Sequence, residues 1–302
     1  MLRKLSLIVS LQFILAGCAT VLTKTPSHDN KASQFQRPHA AKVVLVILEN
    51  KNASEAHDPT NHFLWRLATD GAYLSNYYGI AHPSQPNYVA LISGSTEGVH
   101  GDSPARLDRA HLGQRLQEKL GPSSWMSYAE GYPSGTCNTN NKIGRYARSH
   151  EPFMSFTNIQ DNPDLCTNHI TGFNKFLVAA RTHSLPSFSL VIPNLDHDAH
   201  DKPLRDADEW LEENFADLLD DAEFKRDVIL VVTFDENGAR RPYLNRHDNK
   251  VYTALWGGHV IRGTIMKVYD HYDLLRTIEA IFDLSPMSRE DRNARVIEGI
   301  LE

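Results

Sequence analysis

The chain has 302 residues, 41% hydrophobic and 23% charged, with a formal net charge of −6. That length suits one large α/β domain or two small ones, and that apolar content builds a sizeable core rather than a disordered chain. The acidic balance and the lack of any basic run leave no electrostatic footprint for nucleic acid.

Arg3 and Lys4 precede an apolar run, Leu5 to Leu15, too short to span a bilayer. It ends in Leu15-Ala16-Gly17-Cys18, which resembles the lipobox of bacterial lipoproteins. The resemblance implies a signal peptide over 1–17, lipidation at Cys18, and export to the outer membrane or a periplasm-facing site, since Ala19 rather than Asp follows the cysteine. Residues 18–41 are polar, with Pro26 and Pro38 and no periodicity, and are expected to be a flexible tether. Residues 42–302 are expected to form one domain. In an oxidising compartment, Cys137 and Cys166 are expected to pair.

Lys42 to Leu48 (KVVLVIL) is a nearly continuous aliphatic run, which predicts a central parallel strand. It stops at Glu49-Asn50, oxygen donors suited to a hard divalent cation. Phe63 to Ala68 reads as a helix, and Tyr73 to Tyr78 as a short edge strand or loop. Ser84 then precedes Pro86 and a helical apolar spacing through Ile92, which fits an N-cap or a nucleophile at a helix N-terminus. Leu107 to Leu120 predicts a charged helix, Trp125 to Ala129 a strand, and Gly131 to Thr171 an irregular insertion carrying both cysteines. Arg145 and Arg148 within it are either phosphate clamps or surface arginines. Phe173 to Ala180 reads as a short helix.

Phe188 to Ile192 predicts a buried strand cut off by Pro193, after which Asn194, Asp196, His197, Asp198, His200 and Asp201 crowd together. Asp196 and His200 are spaced to aim a carboxylate and an imidazole at one ion. Asp206 to Leu219 is an amphipathic packing helix with acidic first turns. Val228 to Phe234 predicts a second buried strand, ending in Asp235, Glu236, Asn237 and Gly238. Val251 to Trp256 predicts another, ending in Gly257-Gly258-His259. Asp270 to Phe282 is an amphipathic helix, and the last residues read as a polar tail. This alternation predicts one α/β domain with a mostly parallel sheet and helices on both faces, with its site beyond the carboxyl ends of the strands.

The strand-end residues, in chain order, are Glu49/Asn50, Ser84, Asp196/His200, Asp235/Glu236 and His259. This order resembles the alkaline phosphatase superfamily. More closely, ILEN, HPSQPNYVAL, IPNLDHDAHD, VTFDENG and GGHVIRG are similar to the motifs of the phosphoesterase family that groups bacterial phospholipases C with secreted acid phosphatases. The run Gly144 to His150 is similar to a segment of the short acid phosphatases. The resemblance, over roughly Val43 to Leu284, implies an alkaline phosphatase-like fold and divalent metal ions. It implies Ser84 as nucleophile and metal ligand, with Glu49, Asn50, Asp235 and Glu236 completing that site. Asp196, His200 and His259 match a second site, where they hold metal, bind phosphate or activate water, and Asn87 would hold phosphoryl oxygens. His197 departs from the expected Asn. The implied activity is hydrolysis of a phosphate monoester, a phosphorylated small molecule or phospholipid headgroup, through a phosphoserine. A phospholipase C-like diesterase on the same site, or a binding lipoprotein on an inactive scaffold, are the alternatives.

Overall fold

The computed structural model describes residues 42–238 and 248–301. The expected signal peptide, Cys18 and the tether lie outside the described residues. Eight strands form the main sheet: β1 (Lys42–Leu48), β2 (Ala72–Leu74), β3 (Trp125–Ala129), β4 (Ile170–Gly172), β5 (Phe188–Ile192), β6 (Val228–Phe234), β7 (Thr253–Trp256) and β8 (Gly263–Ile265). Their order is β8-β2-β7-β6-β1-β5-β3-β4. β6, β1, β5, β3 and β4 run parallel to one another, and β7 alone runs antiparallel to both its neighbours. Every residue of β5 and β6 is buried, so both sheet faces are covered, and this is why these strands read as unbroken apolar runs instead of alternating ones.

Aromatic side chains fill part of the core. Phe215, from the Leu204–Asp220 helix, meets Phe63 of the His62–Asp70 helix and Phe176 of the Asn174–Arg181 helix, at centroid distances of 6.3 and 5.3 Å. The buried carboxylate of Asp208, on the same long helix, accepts hydrogen bonds from Phe63 N and Leu64 N. It thereby satisfies free N–H groups at the start of a neighbouring helix, where the positive end of the dipole also favours an anion.

Several expectations change. The helix expected over Leu107–Leu120 spans only Leu112–Leu120, because His111 caps it through Gln114 N and Leu107 instead bridges to Phe156. The run Val251–Trp256 divides at Tyr252. Lys250–Val251 joins a small separate sheet with Tyr77–Tyr78 and Tyr269–Asp270, while the rest is β7. The insertion Gly131–Thr171 is largely packed, carrying the Pro163–His169 helix and edge strand β4, and the Cys137–Cys166 disulfide closes it. The tail is not simply polar, since Ser288 caps the Arg289–Asn293 helix and Ile297 and Ile300 are buried.

Candidate active site

β1 and β6 lie side by side in register, Leu48 opposite Phe234, so Glu49 and Asp235 leave the sheet together. Both carboxylates are fully buried. Asn50 follows with φ +54°, a left-handed turn that asparagine tolerates, and its N–H donates to Asp235 Oδ1 at 3.2 Å. The Ser84–Ser93 helix brings the third component. Ser84 is its first residue, 4% exposed, and its hydroxyl does not cap the helix but donates to Glu49 Oε2 at 2.8 Å. The same Oε2 accepts from Asn50 Nδ2 at 3.2 Å.

The remaining groups arrive from loops. His150, 5% exposed, has Nε2 3.4 Å from Glu49 Oε1 and Nδ1 3.3 Å from Asp198 Oδ2, and its ring stacks on Tyr88. Asp198 is buried, and its backbone carbonyl accepts from Glu49 N at 2.7 Å, which ties the β5 loop to the end of β1. Glu236, just past Asp235, pairs with His82 at 2.5 Å.

So many buried acids disturb one another. Desolvation pushes Glu49 well above the usual carboxylate range, the Asp198 charge adds to it, and the Ser84 hydrogen bond partly opposes. Asp235 is likewise raised well, by desolvation first and then by Glu49 and Glu236. Glu236 is raised by desolvation, against the pull of His82. Among the described residues, Glu49 Oε1, Asp198 Oδ2 and Asp235 Oδ2 are buried without a hydrogen-bond donor. Buried carboxylate oxygens lacking donors are costly unless a proton or a cation satisfies them. Oxygen-only donors of this kind fit a hard divalent cation. Among the described residues, no three His, Cys, Asp or Glu side chains are drawn up as a finished coordination shell.

The structure therefore brings together Glu49, Asn50, Ser84, Asp235 and Glu236 of the expected residues, and places others differently. His259 is not at this end of the sheet. Because β7 is antiparallel to β6, with Trp256 opposite Leu230, the chain leaves β7 beside the start of β6, where Gly258 N donates to Lys225 O. One strand length, about 20 Å for seven residues, separates that edge from Asp235. Asp196 turns outward to Arg145, 3.0 Å away, because Asn194 organises a turn that leaves Asp198 pointing inward instead. His200 stands at the rim, its ring 6.0 Å from that of His150 and its Nδ1 2.7 Å from Asp201. Asn87 serves the backbone: its Oδ1 accepts from Ile80 N and Ala81 N, and its Nδ2 donates to Ala81 O and Pro83 O, bracing the loop before Ser84. Arg148 is buried and donates to Thr139 O and Met154 O, so it is not a phosphate clamp here. Sequence reasoning missed His150, Asp198 as the inward acid, and His82. The available signals were that His82 sits two residues before the serine, that His150 ends the run Gly144 to His150, and that Asp198 lies in the polar cluster after Pro193.

A sequence model of the Phosphoesterase family matches residues 50–285. The chain is 32% identical over 266 residues to a phosphatidylinositol-3-phosphatase of Mycobacterium tuberculosis, covering 87% of this chain and 83% of that one. It is 31% identical over 297 residues to a probable acid phosphatase of Kluyveromyces lactis, and spans 94% of its own length but 66% of that protein's. Among solved structures, a Vibrio parahaemolyticus protein of the alkaline phosphatase superfamily shares the fold, with a TM-score of 0.60 at 10% identity over 86% of this chain and 70% of the other. A phosphonate monoester hydrolase from Silicibacter pomeroyi does so with a TM-score of 0.56 at 11% identity, over 84% and 75%.

Proposed function

The chain belongs to the phosphoesterase family, and we propose that this phosphoric ester hydrolase cleaves phosphate monoesters through Ser84, with one or more divalent cations held by its buried carboxylates. One observation carries the reading: a nearly buried serine hydroxyl at a helix N-terminus, donating to a carboxylate within a cluster of acids of which Glu49, Asp198 and Asp235 each keep one buried oxygen without a hydrogen bond. The acid phosphatase names of the relatives favour the same chemistry.

Glu49, Asp235 and Asn50, with the Ser84 oxygen, would hold the cation, and Glu236 and Asp198 would add negative charge beside it. A bound divalent ion would offset phosphoryl charge and favour the serine alkoxide. Glu49 Oε2 accepts the Ser84 proton, and the helix N-terminus behind Ser84 favours both the alkoxide and the incoming phosphoryl group. Ser84 Oγ attacks phosphorus in line; the Oγ–P bond forms as the bond to the alcohol oxygen breaks, and the alcohol takes its proton from solvent while Glu49 keeps the serine proton until the hydroxyl is restored. Water then attacks the phosphoserine, releasing phosphate and restoring the hydroxyl. His150, between Glu49 and Asp198, and His200 at the rim are placed to orient that water and hold its proton. The N-terminal sequence supports an exported chain, lipid-anchored at Cys18, at a membrane surface.

The test compares a chromogenic phosphate monoester with its diester, with and without chelator, alongside Ser84→Ala. Chelator-sensitive monoester turnover that the mutant lacks supports the proposal. A preference for the diester would assign a phospholipase C-like activity instead. No turnover of either by folded protein supplied with divalent metals would sink the catalytic reading.

A further inference from the structure

The turn after β1 is tied to the loop after β5 at two successive carbonyls. Glu49 N donates to Asp198 O at 2.7 Å, and the ammonium of Lys51, the residue after Asn50, donates to Ala199 O at 2.6 Å. The second bond is charge-assisted and half-buried, which makes it the stronger kind.

The loop is strained at this point. Ala199 is fully buried with φ +75°, a left-handed conformation in which its Cβ crowds the following carbonyl oxygen. Such a residue persists where its surroundings over-determine it. Two contacts do so here: Lys51 takes the Ala199 carbonyl, and Asp198 Oδ1 accepts from His200 N at 2.7 Å across the turn. The reversal at Ala199 sends its two neighbours to different places. Asp198 faces inward, with Oδ2 3.3 Å from His150 Nδ1, while His200 goes to the rim, its ring 6.0 Å from that of His150. Lys51 acts on both through the backbone between them.

The two halves of the proposed reaction draw on different elements. Transfer of the phosphoryl group to Ser84 uses Glu49, Asp235 and Ser84, at the ends of β1 and β6 and the start of the Ser84–Ser93 helix. Hydrolysis of the phosphoserine uses His150 and His200, whose placement depends on the β5 loop. In that step the water oxygen bonds to phosphorus as the Ser84 Oγ–P bond breaks. One water proton passes to a histidine, and Oγ takes back the proton held by Glu49.

We propose that Lys51 is a positioning residue for this second half-reaction: by holding Ala199 O, it fixes Asp198 and His200, and through Asp198 the ring of His150, where they act on the water. This rests on the phosphoserine reading above.

The test follows the phosphoenzyme. The full-length protein, supplied with divalent cation, is mixed with a radiolabelled aryl phosphate monoester; acid quenching reads formation of phosphoserine, and a chase with unlabelled ester reads its decay. Wild type is compared with Lys51→Met, which keeps the stem and removes the ammonium, and with Lys51→Arg, which keeps a charged donor. The expected result is decay slowed by about 10-fold or more in Lys51→Met, the cost of displaced catalytic groups, with formation within about 2-fold of wild type. Lys51→Arg should largely restore the decay rate. Equal slowing of both steps would mean general loosening of the site and overturns the proposal. Unchanged decay in Lys51→Met, or an arginine variant as slow as the methionine one, overturns it too. A wild type in which no phosphate reaches Ser84 overturns the phosphoserine reading itself and this inference with it, so the two failures are distinguishable.

Discussion

The hydroxyl of Ser84 donates to Oε2 of Glu49 across 2.8 Å, joining the first residue of a helix to the end of the central strand. Ser84→Ala is therefore expected to lower kcat by at least about 10³-fold, in keeping with loss of a nucleophile. Relieving Glu49 of a partner also leaves a buried acid poorer in hydrogen bonds, so thermal stability should not rise. Retention of more than a tenth of the activity would remove Ser84 from the role assigned to it.

His150 links acids that follow two different strands, Glu49 directly after β1 and Asp198 in the loop after β5. Replacing it with Asn keeps a polar side chain but cannot reach both. We expect kcat to drop on the order of 10²-fold, the usual worth of a positioned acid or base. Circular dichroism of the variant should match the wild type; a variant with full kcat would reduce His150 to packing against Tyr88.

His259 follows the antiparallel strand at the opposite end of the strands from Asp235. His259→Ala is expected to change kcat/KM by less than about 2-fold, as for surface substitutions remote from the chemistry. A loss resembling that of Ser84→Ala would contradict the strand direction described above.

Glu151 is buried and raised to about 7 from 4.5 by desolvation, against hydrogen bonds from Ser127 Oγ and Phe153 N. A raised folded-state pKa means that the fold prefers the neutral acid. Its contribution is full below about pH 4.5 and is lost as pH rises through about 7. Glu151→Gln, uncharged and similar in shape, should then be the more stable protein at about pH 8, by up to ~3 kcal/mol, and equal to the wild type near pH 4. Urea midpoints at the two pH values decide it: no gain at the higher pH would mean that the carboxylate is better solvated than its burial implies.

The Cys137–Cys166 disulfide closes a loop with a sequence separation of 29. Chain entropy assigns such a loop about 3 to 4 kcal/mol. Replacing both cysteines with serine should lower the free energy of unfolding by that order, and the midpoint with it, while leaving the spacing of Glu49, Ser84 and Asp235 intact, so activity on a small ester should persist at low temperature. An unchanged midpoint would show that the packed insertion holds itself.

Much of this protein was legible from its residues. The strands at Lys42–Leu48, Phe188–Ile192 and Val228–Phe234 were readable because buried parallel strands must be apolar on both faces, and turn residues mark their ends. Their polar termini pointed to the site because parallel strands deliver their carboxyl ends to a common edge. That inference fails wherever direction changes. Thr253–Trp256 is as apolar as its neighbours, yet it runs the other way, and composition carries no sign of direction. The same limit explains why Asp196 was expected inside and Asp198 was not, since which of two aspartates faces inward depends on a turn held by Asn194. His150 lies in an irregular insertion with no periodicity to place it.

The order of residues alone determined the main buried strands and that Glu49, Asp235 and Ser84 would meet. Only the tertiary structure decided which histidine stands among them, which aspartate turns inward, and what lies next to the catalytic edge. Local sequence encodes hydrophobic periodicity and turn chemistry, which are properties of neighbours along the chain. A site made of Glu49, Ser84, His150, Asp198 and Asp235 is a property of strand direction and loop return, and those are settled only when distant segments pack.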